Sequence, residues 1–325
     1  MNVHTISRPI CILGLGLIGG SLLRDLHSAG HPTFGYNRTK SRADEAREEG
    51  FDVSSSLTET LARAEKEGAL IVIAVPVPGF PTILDRISKE APSCGLTDVT
   101  SVKGAILKAV KERGMEGRYV GSHPMAGTAD SGWKASKEGL FRGRAWVVCY
   151  DQLEEGVTDD SWADLWADVA HMAGLVGAEV IPTLADSHDA AVARISHLPH
   201  ILAEALSVVG DNGGALALSL AASSYTDATR VAGSKASLVR AMCETNAPKL
   251  VEALDEALEL ITQARNDLAD DQPSIEELVD AGYRSRIRFD ARSGLRPVLR
   301  LHPGADGWLS ILRQAEAIGS RVEVF

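Results

Sequence analysis

Apolar residues in the first 185 positions fall in short, uninterrupted runs separated by longer stretches with helical spacing. PICILG (9–14) reads as a buried strand, and the apolar stretch from Leu17 to about Ala29 reads as the helix that follows it. TFGY (33–36) is a second strand, and SRADEAREEG (41–50) is a charged helix stopped by a glycine. LIVIAVP (70–76) is β-branched and unbroken, the pattern of a strand covered on both faces. LTDV (96–99), YVGS (119–122), AWVVCY (145–150) and AEVIP (178–182) continue the series. Strands alternating with helices predict an α/β domain built on a doubly wound parallel sheet.

The texture changes after Pro182. From about Asp186 to Asp270 no strand pattern appears, and Ala- and Leu-rich stretches such as AAVARISHLPHILAEALSVV and PKLVEALDEALELITQARNDLA predict an all-α domain. Several of these helices are apolar around much of their circumference, so part of their burial is expected from a second subunit, as a homodimer. DDQPS (270–274) reads as a break, and RPVLRLH, GWLSILRQAEAIG and SRVEVF close the chain as a short β-α-β tail. The expected division is 1–185, 186–282 and 283–325, the last a packing appendage rather than a domain.

Composition narrows the classes. A chain of 325 residues with 45% apolar and 24% charged residues fits two globular domains. A formal charge of -11 argues against a general nucleic-acid binder. The N-terminal segment lacks a basic region and a small-residue cleavage site, and no run approaches a membrane span. Cys11, Cys94, Cys149 and Cys243 show no CxxC spacing and read as buried thiols of a cytoplasmic protein.

Candidate chemistry sits at the ends of the predicted strands. GLGLIGGS (14–21) places G-x-G-x-x-G between a strand and a helix, the context a dinucleotide site needs. Gly14 permits the turn, Gly16 lets the backbone approach a pyrophosphate, and Gly19 lets the helix pack close. Gly14, Leu15, Gly16, Leu17, Ile18 and Gly19 are thus cofactor candidates, which makes the fold Rossmann-type. The second strand ends in NRTKS with no acid for a ribose 2′-hydroxyl. Asn37, Arg38, Thr39 and Ser41, with Lys40, form a cradle suited to a 2′-phosphate, so NADP is expected, with NAD the alternative. Val75 and Pro76, in AVPVP, are expected to pass beside the cofactor ribose.

TDVTSVKG (97–104) and GSHPMAGTADSG (121–132) also follow strands, so Ser101, Lys103 and His123 could converge near the nicotinamide. Pro124 disfavours helix at His123, and Gly121 and Gly127 release the backbone on either side, which predicts an elbow holding one imidazole at a strand end. That elbow could be a mere turn or a proton acceptor. Lys103 could neutralise cofactor charge or lie in solvent. SHLPH (196–200) puts His197 and His200 beside a kinking proline, His197 reading as a core residue, and SYTDATRVAGS supplies Asp227 and Arg230. No metal-ligand spacing is present, and Trp133 and Trp146 read as packing.

Taken in order, GLGLIGGS, DVTSVK, GSHPMAG, SHLPH and DATRVAGS resemble the prephenate/arogenate dehydrogenase family of tyrosine biosynthesis. The resemblance covers most of the first 235 residues. It weakens at GSKASLVRAM, where Lys235, Ala236 and Val239 depart from the family's pattern. It implies NAD(P)-dependent oxidative decarboxylation of prephenate to 4-hydroxyphenylpyruvate, or of arogenate to tyrosine. It assigns His123 as acceptor of the ring-hydroxyl proton and Ser101 as its positioning partner beside the cofactor. Arg230, His200, Thr128 and Asp227 fall in the substrate pocket. The competing readings are a β-hydroxyacid dehydrogenase relative, in which Lys249 or Lys235 would serve, and a non-catalytic NADP sensor.

Overall fold

The computed structural model describes residues 6–127, 130–156, 160–292 and 296–325. Six strands form a parallel sheet: β1 (Ile10–Leu13), β2 (Thr33–Tyr36), β3 (Val53–Ser54), β4 (Leu70–Ile73), β5 (Leu96–Asp98) and β6 (Tyr119–Val120). Their order, β3-β2-β1-β4-β5-β6, is the doubly wound arrangement. β1 and β4 are buried throughout, which explains their unbroken apolar runs. The helix Leu17–Ser28 starts directly after the glycine loop, as expected.

The later strands do not continue that sheet. Gly121 ends β6, and the chain crosses to a second, five-stranded mixed sheet. It contains β7 (Ser122–Pro124), β8 (Ala145–Cys149), β9 (Glu179–Thr183), β10 (Val298–Leu301) and β11 (Arg321–Val324), in the order β10-β11-β9-β8-β7. YVGS is therefore two strand segments in two sheets, and AWVVCY and AEVIP belong to the second. A strand's pattern reports which positions are buried and not which sheet buries them, so periodicity cannot assign it. A side chain at Gly121 would lie 3.1 Å from the Tyr119 hydroxyl and 3.5 Å from Cys149, so the crossing is tight.

The chain separates into two compact units, residues 1–188 with 298–325, and residues 189–297. The tail thus belongs with the first unit: β11 pairs antiparallel with β9, and the helix Trp308–Ile318 contributes Trp308, Leu312 and Ala315 to the same core as Trp162, Trp166 and Val169. The sequence position 282 lies inside one helix, Glu276–Arg292, which carries Gly282 without a break.

The second unit is helical. Its long helices are Leu198–Asn212, Ala247–Leu268 and Glu276–Arg292. A five-residue π turn, Ala193–His197, precedes Leu198–Asn212. Pro199 has no N–H to give the carbonyl four residues back, and it sits in the first turn of Leu198–Asn212, where that loss costs least. His197 is buried in this unit and shares a 3.1 Å hydrogen bond with Asn246, whose amide also donates to the Asp189 carbonyl at 2.8 Å. Val239, at one departure from the family pattern, packs with Cys243 and Leu250. Among the described residues no helix is long and apolar enough to cross a membrane.

Candidate active site

The glycine loop is shaped by three different constraints. Gly14 has φ +108°, and a side chain there would lie 2.7 Å from the Ala74 carbonyl oxygen. A Cβ on Gly19 would sit 2.0 Å from the Gly14 carbonyl oxygen, so helix and loop touch. Gly16 faces open space, with nothing within 4 Å of a Cβ. It also begins the helix Leu17–Ser28, which has no side-chain cap and no acid in its first turn. Open space over unpaired, partly positive N–H groups fits a pyrophosphate. Leu15 is buried against Gly35, and Leu17 and Ile18 pack on the core. Val75 and Pro76 follow β4 and back the loop.

At the end of β2 the residues divide by role. Asn37 is buried, donates to the Leu15 carbonyl at 3.3 Å and accepts from the Thr39 N–H at 3.0 Å. It braces the glycine loop rather than facing solvent. Arg38, Thr39, Lys40 and Ser41 are exposed beside it.

His123 does not lie in a turn: it is the middle residue of β7, an edge strand paired antiparallel with β8, opposite Val147. Pro124 is tolerated there because an edge strand leaves one side of its backbone unpaired. The His123 Nδ1 lies 2.9 Å from the His188 Nε2, with the rings edge to face at 79°. His188 is buried in the first turns of the helix Ala185–Val192, which follows β9. The sequence reading missed it. The available signal was ADSHDAAV directly after a strand end, where ligands of open sheets bind.

A buried polar network fixes β7. Lys103 does not lie in solvent: it is buried, ion-paired with Asp98, and donates to the Ser122 carbonyl at 2.6 Å. The Asp98 carboxylate also accepts from the Tyr119 hydroxyl at 2.6 Å and the Ser122 N–H at 3.2 Å. Burial, followed by the Asp98 charge, pushes the Tyr119 phenol well up, so it stays a donor. The Ser122 hydroxyl donates to the Asp98 carbonyl at 2.6 Å and accepts from the Trp146 indole at 3.1 Å. Ser101 lies partly buried in the turn between Asp98 and Lys103. Trp133 is packing as expected, under Arg24 and bonded to Glu49 at 2.8 Å.

The second unit brings His200 and Arg230 together. Burial lowers the His200 pKa, and the Arg230 charge adds to this against Glu204 and a hydrogen bond to the Val231 backbone. The ring is therefore neutral at neutral pH, and its Nδ1 is buried without a partner among the described residues. Arg230 and Asp227 are both exposed, and no ion pair joins them among the described residues. Thr128 lies outside the described residues.

Family comparison decides what this arrangement belongs to. The family model for the prephenate dehydrogenase nucleotide-binding domain matches residues 22–175, and the one for its dimerization domain matches residues 184–281. The crystal structure of a candidate prephenate dehydrogenase from Corynebacterium glutamicum is 60% identical, with TM-score 0.96, over 99% of this chain and 100% of that one. The chain belongs to the prephenate dehydrogenase family. A cyclohexadienyl dehydrogenase of Zymomonas mobilis is 27% identical over 90% of this chain and 100% of its own. The arogenate dehydrogenase of Synechocystis is 28% identical with TM-score 0.71, covering 86% of this chain and 99% of that one. Like other prephenate dehydrogenase family members, the chain is an NAD(P)-dependent oxidoreductase, which sets aside the β-hydroxyacid dehydrogenase reading.

Proposed function

We propose that this protein is a prephenate dehydrogenase of tyrosine biosynthesis, using NADP and acting as a homodimer in the cytoplasm. The observation that carries the mechanism is the 2.9 Å contact between His123 and His188. With His123 Nδ1–H donating to His188, His123 Nε2 is the basic nitrogen that takes the proton of the ring hydroxyl. The imidazolium then formed keeps its donated bond to His188, which spreads the new charge and fixes the ring. A bound nicotinamide dinucleotide supplies the hydride acceptor, held by Gly14 to Gly19, Val75, Pro76 and Ser101. Arg38, Thr39 and Ser41 are exposed after β2 with no acid among residues 37–41, which supports NADP over NAD. Arg230 holds a substrate carboxylate by two parallel hydrogen bonds. Neutral His200 contributes hydrogen bonding without charge, and Asp227 and Thr128 complete the proposed set of substrate-binding residues. Loss of CO2 follows from aromatisation of the ring and needs no group beyond these.

Dimer formation is supported by the helix Ala247–Leu268, on which Val251, Leu258, Ile261 and Leu268 are each at least half exposed on one face. All four cysteines are buried free thiols, in keeping with a reducing compartment. The test is an initial-rate assay of prephenate and arogenate, each with NAD and NADP, repeated on His123→Asn. Prephenate with NADP is the expected best pair, and the variant should lose about 10²–10⁴-fold in kcat while binding NADP unchanged. Faster turnover of arogenate, or of NAD, would replace that part of the assignment.

A further inference from the structure

The mechanism above uses the helix Ala185–Val192 only through His188, yet that helix begins at a junction built largely by the tail. Glu316, on the helix Trp308–Ile318, reaches the ends of two strands at once. One carboxylate oxygen accepts from the Tyr150 hydroxyl, just after β8. The other accepts from the Thr183 hydroxyl at 2.7 Å and the Leu184 N–H at 3.1 Å, at the end of β9. Ser187 adds a further side-chain hydrogen bond. Burial works against the charge of Glu316, but these donors outweigh it and keep the carboxyl below its ordinary range. The same tail helix is pinned nearby by Arg313, which grips Glu154 at 2.6 and 2.9 Å.

The consequences run directly to the histidine pair. The Leu184 carbonyl accepts the His188 N–H at 2.9 Å, so the residue that Glu316 holds is the one on which the His188 turn is hung. Tyr150 terminates the strand that pairs with β7, where His123 faces Val147. One carboxylate therefore sets the separation of the two segments that carry His123 and His188. We propose that Glu316 is a positioning residue for the His123–His188 pair, which makes the β-α-β tail part of the catalytic apparatus rather than an appendage. This rests on the reading of His123 as the proton acceptor.

The experiment is a double-mutant cycle in the full chain. Glu316→Ala should lower kcat by about tenfold to a hundredfold, since small misplacements of a reacting group cost that much. KM for NADP and its dissociation constant should not move. Glu316→Gln, which keeps an acceptor for Thr183 and Leu184, should recover much of the loss. In a His188→Asn background Glu316→Ala should cost little more, because the two act through one contact. An additive cost, or a Glu316→Ala enzyme with the parent's kcat, overturns the proposal. If Glu316→Ala does not fold, Thr183→Val, which removes one donor to Glu316, carries the same cycle. Should the parent protein turn over neither prephenate nor arogenate, the assigned function fails. Positioning is then read from histidine ring-nitrogen NMR shifts: Glu316→Ala or Thr183→Val must alter those of His123 and His188, and unchanged shifts overturn the proposal.

Discussion

Lys103 shows how strongly one side chain can be committed. Its ammonium is almost wholly buried beside Asp98 and reaches the Ser122 carbonyl, one residue from His123. A buried pair of this kind adds little over a well-packed apolar pair, but removing one partner strands the other charge. Lys103→Met should therefore cost about 3–5 kcal/mol in urea unfolding. Adding Asp98→Asn should return part of that loss, because the stranded charge is gone. Equal costs for the single and double variants would mean that the pair acts only through packing. Asn37 is similarly committed: its amide links the glycine loop to the turn after β2, while Arg38 and its neighbours stay exposed.

At the scale of elements, the helix Ala185–Val192 is held at its start by a second acid. Asp151 accepts from the Ala185 N–H with both oxygens at 3.1 Å. Burial pushes its carboxyl up from 3.8 to about 6, ahead of the opposing bond from Ala185. The folded state thus retains a proton that the unfolded chain releases, and this contribution to stability declines as pH rises through that window. Asp151→Asn cannot ionise, so its stability relative to the parent should rise between about pH 4 and about pH 7 in paired urea titrations. A pH-independent difference would contradict the shifted titration. β1 and β4 were legible because each is a continuous apolar run, and the glycine loop because its spacing has a single geometric use, whereas the two-residue β3, Val53–Ser54, carries no run and was missed. Assignment of β8 and β9 to a second sheet was not legible, since a strand's pattern reports which positions are buried and not which sheet it joins. His188 was also hidden: its partner lies 65 residues away in the chain, and no local pattern marks the pairing. The burial of Lys103 was missed because its partner, Asp98, sits on a strand whose carboxylate direction no spacing reveals.

For the whole molecule, the apolar surface of the helical unit is the dominant feature. Val251, Leu258, Ile261 and Leu268 recur on one face of a 22-residue helix and remain exposed in the single chain. If this face forms the proposed dimer, replacing Leu258 and Ile261 with Glu should leave only monomer in sedimentation equilibrium and make the thermal midpoint independent of protein concentration. A dimer that survives both changes would place the interface elsewhere.

The first unit is discontinuous: residues 298–325 complete a sheet and a core whose other members lie before residue 189. During synthesis, Trp162 and Trp166 emerge long before Trp308, which packs against both. Until residues 189–297 have also been made, the ribosome-bound chain carries a nucleotide-binding half with an open sheet edge at β9 and uncovered indole rings. Vectorial folding therefore cannot finish the first unit first, and emergence of residues 298–325 is the step that closes it.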